Sequence, residues 1–226
     1  MHYSSYETKQ GKLDIIGAYA QMLTDRAVGS SQLYLLTLTF NQLVGNQSAI
    51  RRQMVDEVER VYATILKFTL RNPRNKQLDE LPLWVGCPDW PTATSGTQKM
   101  RQLVPNDGMH EHIVACHQRF KRGETLEEHL SDRQKDYSGF EKSIFQLDCR
   151  PITETPEYVT DYVLKSYKRH KVEADEIMVM PRHRDELTPH AERLPHIVRL
   201  GETIITPTFE NDRLVAAVER EKKRGR

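Results

Sequence analysis

Cysteine is scarce in this sequence and long apolar runs are missing, and each absence argues against a class of protein. The three cysteines are widely spaced without a CxxC pair, which favours reduced thiols in a cytoplasmic compartment over a disulfide framework. Because no run of about 18 apolar residues occurs, the sequence predicts no membrane span. The polar N-terminus lacks the apolar region of a secretion signal. A glycine-rich phosphate loop ending in Lys and Ser or Thr is also missing, so no helicase motor is predicted.

The remaining composition is that of an ordinary folded protein. The chain has 226 residues, of which 38% are hydrophobic and 29% charged, so it is long enough to bury a core. The net charge of +1 neither favours nor excludes a nucleic-acid partner, and local clusters must decide that question. We expect an N-terminal helical extension over residues 1–30, a main domain over 31–180, and a C-terminal extension with a basic tail over 181–226.

Helical and extended patterns both occur along the main domain. Apolar residues at helical spacing predict helices over residues 13–23 and 48–68, and a polar helix is predicted over 124–134. Short segments rich in aliphatic, aromatic and threonine residues predict strands, of which the clearest is 33–40. Further strands are predicted over 81–87, 109–116, 143–149 and 177–180.

Two histidines lie on one face of a predicted strand. Residues two apart in a strand point the same way, so His110 and His112 face one side and Glu111 the other. Two imidazoles and an oxygen donor make a site for a divalent cation. Three polar side chains are candidates for the oxygen donor, namely Asp89, Asp107 and Gln102, and we assign it to the first. The alternative is a pair of half-exposed histidines at a strand edge.

Two tyrosines and a lysine share one face of a predicted helix that starts near Pro156. Tyr158 and Tyr162 are one turn apart, and Lys165 follows close to the same face. A tyrosinate can attack phosphorus and form a phosphotyrosine intermediate. A free tyrosine has a pKa of about 10, and positive charge from Lys165 or a cation would favour ionisation. The alternative is an ordinary core face that buries the rings and keeps the hydroxyls in water.

Taken together, these segments resemble the HUH endonucleases, specifically the replication initiators of rolling-circle elements. That family has three motifs in a fixed order, and the resemblance covers roughly residues 33–170. Residues 35–40 are similar to the first motif, a hydrophobic strand that ends in alternating threonines. Residues 110–115 are similar to the second, His-hydrophobe-His before apolar residues, except that Glu111 replaces the hydrophobe.

The third motif of the family is a helical tyrosine followed by a lysine three or four residues later. Tyr162 and Lys165 fit that pattern. Tyr158 resembles the first tyrosine of the two-tyrosine version, although Asp161 stands where that version has its first lysine. The resemblance therefore implies Tyr162 as the first choice of nucleophile and Tyr158 as the second.

The resemblance implies an α+β fold with a central antiparallel β-sheet and flanking helices, the histidine strand being central and the tyrosine helix against it. Mg²⁺ or Mn²⁺ would bind His110, His112 and Asp89. Tyr162 would attack single-stranded or melted origin DNA, keep the 5′ phosphate and release a 3′ hydroxyl for a polymerase, while Lys165 compensates charge. A host helicase would be needed, in the cytoplasm of a bacterial host cell. Five basic residues would hold the DNA backbone: Arg119, Lys121, Arg122, Lys168 and Arg169.

Three other interpretations stay open from the sequence. A relaxase or a transposase would use the same chemistry, although the usual relaxase has a third histidine near the pair. A non-catalytic DNA-binding module would keep the fold and bind DNA without metal or Tyr162. An α+β protein in which the histidines and tyrosines are structural would place His110 far from Tyr162.

Overall fold

The chain divides into two compact units, residues 1–181 and 182–226. A computed structural model describes residues 8–90, 105–153 and 155–182, and the backbone of 198–200 and 203–205. In the second unit, two short strands, Val198–Leu200 and Thr203–Ile205, pair antiparallel. The basic tail that the sequence predicts lies outside the described residues. No helix in the described residues is both long enough and apolar enough to cross a membrane.

An antiparallel sheet is the centre of the first unit. Its described strands are β1 Gln32–Phe40, β2 Leu83–Asp89, β3 His110–His117, β4 Ile144–Pro151 and β5 Met178–Met180. They are ordered β4-β1-β3-β2-β5, and each neighbouring pair is antiparallel. The flanking helices are α1 Lys9–Arg26, α2 Gln47–Thr69, α3 Leu126–Asp132, α4 Gln134–Tyr137, α5 Pro156–Val163 and α6 Lys165–Lys168. The predicted α+β fold is confirmed, and the histidine strand β3 lies in the middle of the sheet.

Strand β1 shows why the sheet is covered differently on its two faces. Its even-numbered residues, Tyr34 to Phe40, are buried in a core that includes the apolar side of α2. Its odd-numbered residues Leu35, Thr37 and Thr39 face the other side and are only partly buried. On that second face, α1, α5 and α6 pack against β2 and β3. The part of this face that belongs to β1 and β4 lines an open cleft.

Two element boundaries differ from the sequence prediction in ways that matter for the site. Strand β2 continues through Asp89, two residues beyond its predicted end, because Pro88 and Asp89 still pair with β3. The tyrosine helix is interrupted at Leu164, so Lys165 begins the separate short helix α6. Both shifts bring side chains towards the histidines. Thr155 directly precedes the first residue of α5, and its side chain makes no capping hydrogen bond.

Candidate active site

The pairing of three strands assembles a cluster of side chains that could hold a metal ion. Asp89 on β2 lies directly opposite His110 on β3, and Thr37 on β1 lies directly opposite His112. Directly paired residues share one face of a sheet, so the three strands present these side chains together. Asp89, His110 and His112 each offer a ligand atom within 4.8 Å of the others, and this group could hold a metal ion.

The two imidazole rings are oriented by oxygen partners on their far sides. Nδ1 of His110 lies 2.9 Å from the carbonyl oxygen of Gly108, and Nδ1 of His112 lies 3.1 Å from Oγ1 of Thr37. If each Nδ1 carries the proton, both Nε2 lone pairs are free to bind a cation. The Nε2 atoms are 3.0 Å apart. Two nitrogens bound at about 2.1 Å and at right angles would be about 3.0 Å apart, so the donor set fits a cation.

Asp89 is the most buried member of the cluster, with 3% of its surface exposed. Its Oδ2 atom lies 3.6 Å from Nε2 of His110 and 3.9 Å from Nε2 of His112. Lys165 donates a hydrogen bond to Oδ2 at 2.8 Å, and Ser166 donates one to Oδ1. Burial alone would raise the pKa of Asp89, but the hydrogen bonds from Lys165 and Ser166 outweigh it and lower the pKa. The side chain is therefore a carboxylate at neutral pH.

His112 is neutral over the physiological pH range. Burial lowers the pKa of His112 to about 3, and the electrostatic effects of the neighbouring His110 and Lys165 act in the same direction. Asp89 opposes these effects without cancelling them. A neutral imidazole is the form that binds a metal, so protons do not compete for this ligand near neutral pH.

Tyr162 and Lys165 complete the cluster from the helical side. The Tyr162 hydroxyl lies 3.4 Å from Nε2 of His112, and the two ring centroids are 5.1 Å apart. Nζ of Lys165 lies 3.7 Å from the centre of the Tyr162 ring while it contacts Asp89. One ammonium group thus connects the tyrosine to the carboxylate. With 41% of its surface exposed, Tyr162 remains accessible from solvent.

A cleft of about 370 Å³ opens beside Tyr162. Its floor is the uncovered half of the sheet. The lining residues are Leu35, Thr37, Thr39, His112, Gln146, Asp148, Arg150 and Tyr162. A substrate in this cleft would meet the Tyr162 hydroxyl and the His112 ring together.

The other predicted site residues are not all brought to this cluster. Tyr158 is 65% exposed, and no hydrogen bond or ring contact within the described residues joins it to the cluster. Asp107 is exposed in the turn before β3 and is not part of the metal-binding group. Gln102 lies outside the described residues. Of the proposed oxygen donors, the described structure therefore brings only Asp89 to the histidines.

The predicted DNA-binding residues fall into two groups. Lys168 and Arg169 are exposed at the end of α6, one turn beyond Lys165, and Lys168 donates a hydrogen bond to Asp161 at 2.6 Å. Three others, Arg119, Lys121 and Arg122, are exposed in the turn after β3. The rise of a strand puts the end of β3 roughly 23 Å from His110. Only the first group lies near the candidate site.

Two residues that contact the cluster were not predicted to do so. Ser166 gives no signal in the sequence beyond its position next to Lys165, and its contact with Asp89 depends on how α6 packs on β2. Thr37 belongs to the alternating threonines of β1, but its pairing with His112 follows from the strand register. No protein-family model, curated protein or solved structure matches this chain.

Proposed function

We propose that this chain is a metal-dependent endonuclease that nicks single-stranded origin DNA through Tyr162 and initiates rolling-circle replication. One observation carries the proposal: the Tyr162 hydroxyl lies 3.4 Å from His112 in a cluster that could hold a metal ion, at the side of an open cleft. A tyrosine whose role is only structural has no need of this combination.

We propose Mg²⁺ or Mn²⁺ as the cofactor, and the structure contains a group of side chains that could hold a metal ion. Asp89, His110 and His112 would hold the ion and leave further positions for oxygen atoms of the substrate, since both metals favour oxygen ligands and six-fold coordination. When bound, the ion would polarise the scissile phosphate and stabilise negative charge on it. The carboxylate state of Asp89 and the neutral state of His112 suit this role.

The tyrosine oxygen performs the bond exchange. The phenolic oxygen of Tyr162 attacks the phosphorus, a bond forms between them, and the bond from phosphorus to the 3′ oxygen breaks. The phenolic proton is lost to solvent, and the departing 3′ oxygen takes up a proton, so the step is balanced. The 5′ phosphate stays on the enzyme and the free 3′ hydroxyl can prime a polymerase. The ammonium group of Lys165 lies over the ring, where it can compensate negative charge that develops during the reaction.

The position of Lys165 gives it a second task. Its hydrogen bond to Asp89 holds the carboxylate and the tyrosine ring at fixed positions relative to each other. A lysine that only attracted DNA would be exposed, whereas the side chain of Lys165 is 18% exposed. We therefore assign Lys165 to charge compensation and to positioning of the nucleophile.

A covalent-adduct assay tests the proposal directly. The protein is mixed with single-stranded oligonucleotides that tile the replicon carrying its gene, in Mn²⁺, Mg²⁺ or EDTA, and is separated on a denaturing gel. We expect a protein band that carries the label of 3′-labelled DNA, because the fragment downstream of the nick keeps the 5′ phosphate. A 5′ label should instead appear on a shorter free fragment.

Matched variants locate the nucleophile. Tyr162→Phe removes one oxygen atom and should abolish the adduct, whereas Tyr158→Phe makes the same change at the exposed tyrosine one turn away and should retain it. Asp89→Asn should abolish metal-dependent adduct formation. If only Tyr158→Phe removes the band, the chain is a tyrosine-dependent nicking enzyme, but Tyr158 and not Tyr162 is the nucleophile. If DNA binds without metal and no adduct forms with origin DNA, the chain is a non-catalytic DNA-binding module.

The genetic role needs a separate measurement because relaxases and transposases use the same chemistry. Loss of replication of the replicon in cells that express Tyr162→Phe would support the initiator. Normal replication with loss of conjugal transfer or of transposition would instead assign the chain to one of those processes.

A further inference from the structure

Two phenylalanines form an exposed aromatic pair at the edge of the sheet. Phe140 precedes β4 and has 86% of its surface exposed, and Phe145 near the start of β4 has 42% exposed. Their ring centroids are 5.3 Å apart with an angle of 65° between the planes. Phenyl rings in water lose the free energy that burial would give them, so the folding of the chain does not account for this arrangement.

The turn that carries Phe140 is held firmly in place. Nδ2 of Asn41 donates hydrogen bonds to the carbonyl oxygens of Gly139 at 2.9 Å and of Lys142 at 2.6 Å. The backbone of Gly139 also bonds to Ile144 at 2.9 Å, and Asn41 bonds to Ser143 at 2.8 Å. Asn41 directly follows β1, so these bonds join the turn to the strand that forms the cleft floor. The exposed ring therefore sits on an ordered support.

Phe145 is directed out of the core by an irregularity in β4. The register between β1 and β4 shifts between Thr39 and Phe40, which leaves Phe145 as an extra residue between two paired positions. Ile144 on one side of it is buried, whereas Phe145 and Gln146 are both exposed. Gln146 lines the cleft that contains His112 and Tyr162. The aromatic pair therefore includes the residue next to one that lines the cleft of the candidate active site.

We propose that Phe140 and Phe145 form a stacking site for an unpaired nucleobase of the DNA strand that enters this cleft. The inference rests on the proposed function in taking single-stranded DNA as the occupant. Aromatic rings on an ordered surface bind unstacked bases of any sequence, because every base has a π-face. The amide of Gln146, next to Phe145, can hydrogen-bond a base edge.

Strand geometry sets how far this base lies from the reaction. Gln146 is two strands away from His112 and is offset from it by two residues along the sheet. Strand spacing and rise put the two backbone positions roughly 12 Å apart. A base on the phenylalanine pair would therefore be a few nucleotides from the phosphate at Tyr162, and it would fix the register of the strand in the cleft.

A binding assay without metal tests the stacking site independently of catalysis. The full chain in EDTA and low salt is titrated into fluorescein-labelled oligothymidylate, and into an abasic oligomer of the same length and charge. We expect the wild-type chain to bind oligothymidylate more tightly. Phe140→Leu and Phe145→Leu keep an apolar side chain and remove the ring, and each should weaken oligothymidylate binding about tenfold without changing abasic binding.

A tryptophan variant supplies a direct reading of ring–base contact. Phe140→Trp should retain oligothymidylate affinity, and its added fluorescence should be quenched by oligothymidylate and not by the abasic oligomer. Equal affinity of wild type and leucine variants, equal binding of both oligomers, or no binding of oligothymidylate by the wild type would overturn the inference. Self-association that is lost in Phe140→Leu, with DNA binding intact, would also overturn it and identify a protein interface.

The outcomes separate this inference from the proposed function. Base-dependent binding that needs the phenylalanines, in a chain that forms no covalent adduct, supports the stacking site and contradicts nicking. A Tyr162-dependent adduct with unchanged DNA binding in the leucine variants supports nicking and contradicts the stacking site.

Discussion

Replacement of Glu111 tests the energetic cost of a carboxyl group at the centre of the sheet. Glu111 lies between the two histidines, faces the opposite side of β3, and is 2% exposed. Its Oε1 atom has no hydrogen-bond partner within the described residues. Gly86 on β2 provides the room, since a Cβ atom at that position would lie 3.1 Å from Oε1. A buried polar atom without a partner costs about 1–3 kcal/mol.

The cost depends on pH in a definite direction. Burial raises the pKa of Glu111 well above its ordinary value of 4.5. The unfolded chain therefore ionises near pH 4.5, while the folded protein keeps the proton to a higher pH. The contribution of Glu111 to stability falls as the pH rises above 4.5, with a maximal slope of about 1.4 kcal/mol per pH unit. The fall ends where the folded carboxyl group itself ionises.

Glu111→Met removes the carboxyl group and keeps an unbranched side chain. At pH 7 we expect it to raise the free energy of unfolding by about 1–3 kcal/mol through loss of the unpaired polar atom, and the ionisation effect adds up to about 1.4 kcal/mol for each pH unit above 4.5. The gain should shrink towards pH 4, where both folded and unfolded wild-type chains hold the proton. Urea unfolding followed by circular dichroism in EDTA measures both quantities.

Two controls make the result decisive. The side chain that Glu111→Gln introduces cannot ionise. This variant should therefore lose the same pH-dependent part of the free energy of unfolding while it keeps a polar atom. Glu127→Gln makes the identical change at an exposed position of α3 and should leave stability nearly unchanged. A methionine variant that is no more stable at pH 7, or a gain of equal size at pH 4 and pH 7, would refute the argument. Adduct formation should survive Glu111→Met because the side chain faces away from the metal-binding cluster.

Three further predictions follow from contacts around the sheet. Ser166→Ala should weaken Mn²⁺ binding by roughly 10–100-fold in calorimetry, because Asp89 loses an orienting hydrogen bond, while Ser166→Thr should restore part of the affinity. Lys12→Met should lower the free energy of unfolding by about 2 kcal/mol in urea titrations, since Lys12 is buried and donates to the carbonyl oxygen of Tyr167 at 3.0 Å. Burial lowers the pKa of His117 from 6.5 to about 4. The free energy of unfolding should therefore be highest above pH 6.5 and should fall by about 3 kcal/mol when the pH is lowered to 4. In His117→Gln the free energy of unfolding should depend less on pH over this range. An unchanged pH dependence would contradict the prediction.

Local pattern was sufficient for the parts of the fold in which neighbours along the chain decide the outcome. The alternation in β1 predicted a strand with an apolar and a threonine face, and this is the arrangement observed. The two-residue period of β3 put His110 and His112 on one face and Glu111 on the other. The spacing of Tyr162 and Lys165 placed both on one side of a helical segment, although the break at Leu164 was not predicted.

The sequence offered three candidates for the third ligand of a metal and no firm ground for choosing Asp89, because the answer depends on pairing between distant segments. Asp89 was one of three candidates, and the predicted end of β2 stopped two residues before it. The strand instead continues, and its register with β3 puts the carboxylate beside His110. No periodicity within β2 contains that information, since the register depends on how three strands pack together.

The division between sequence and tertiary structure follows from the range of the interactions. By itself, the sequence determined which residues are candidates for the proposed chemistry and on which side of their own element each one lies, because side-chain direction has a fixed period along a strand or helix. Only the tertiary structure decided that Tyr162 meets His112, that Ser166 contacts Asp89, and that Arg119 lies far from the cluster. Those distances depend on the packing of α5 and α6 across the sheet, which joins residues far apart in the chain.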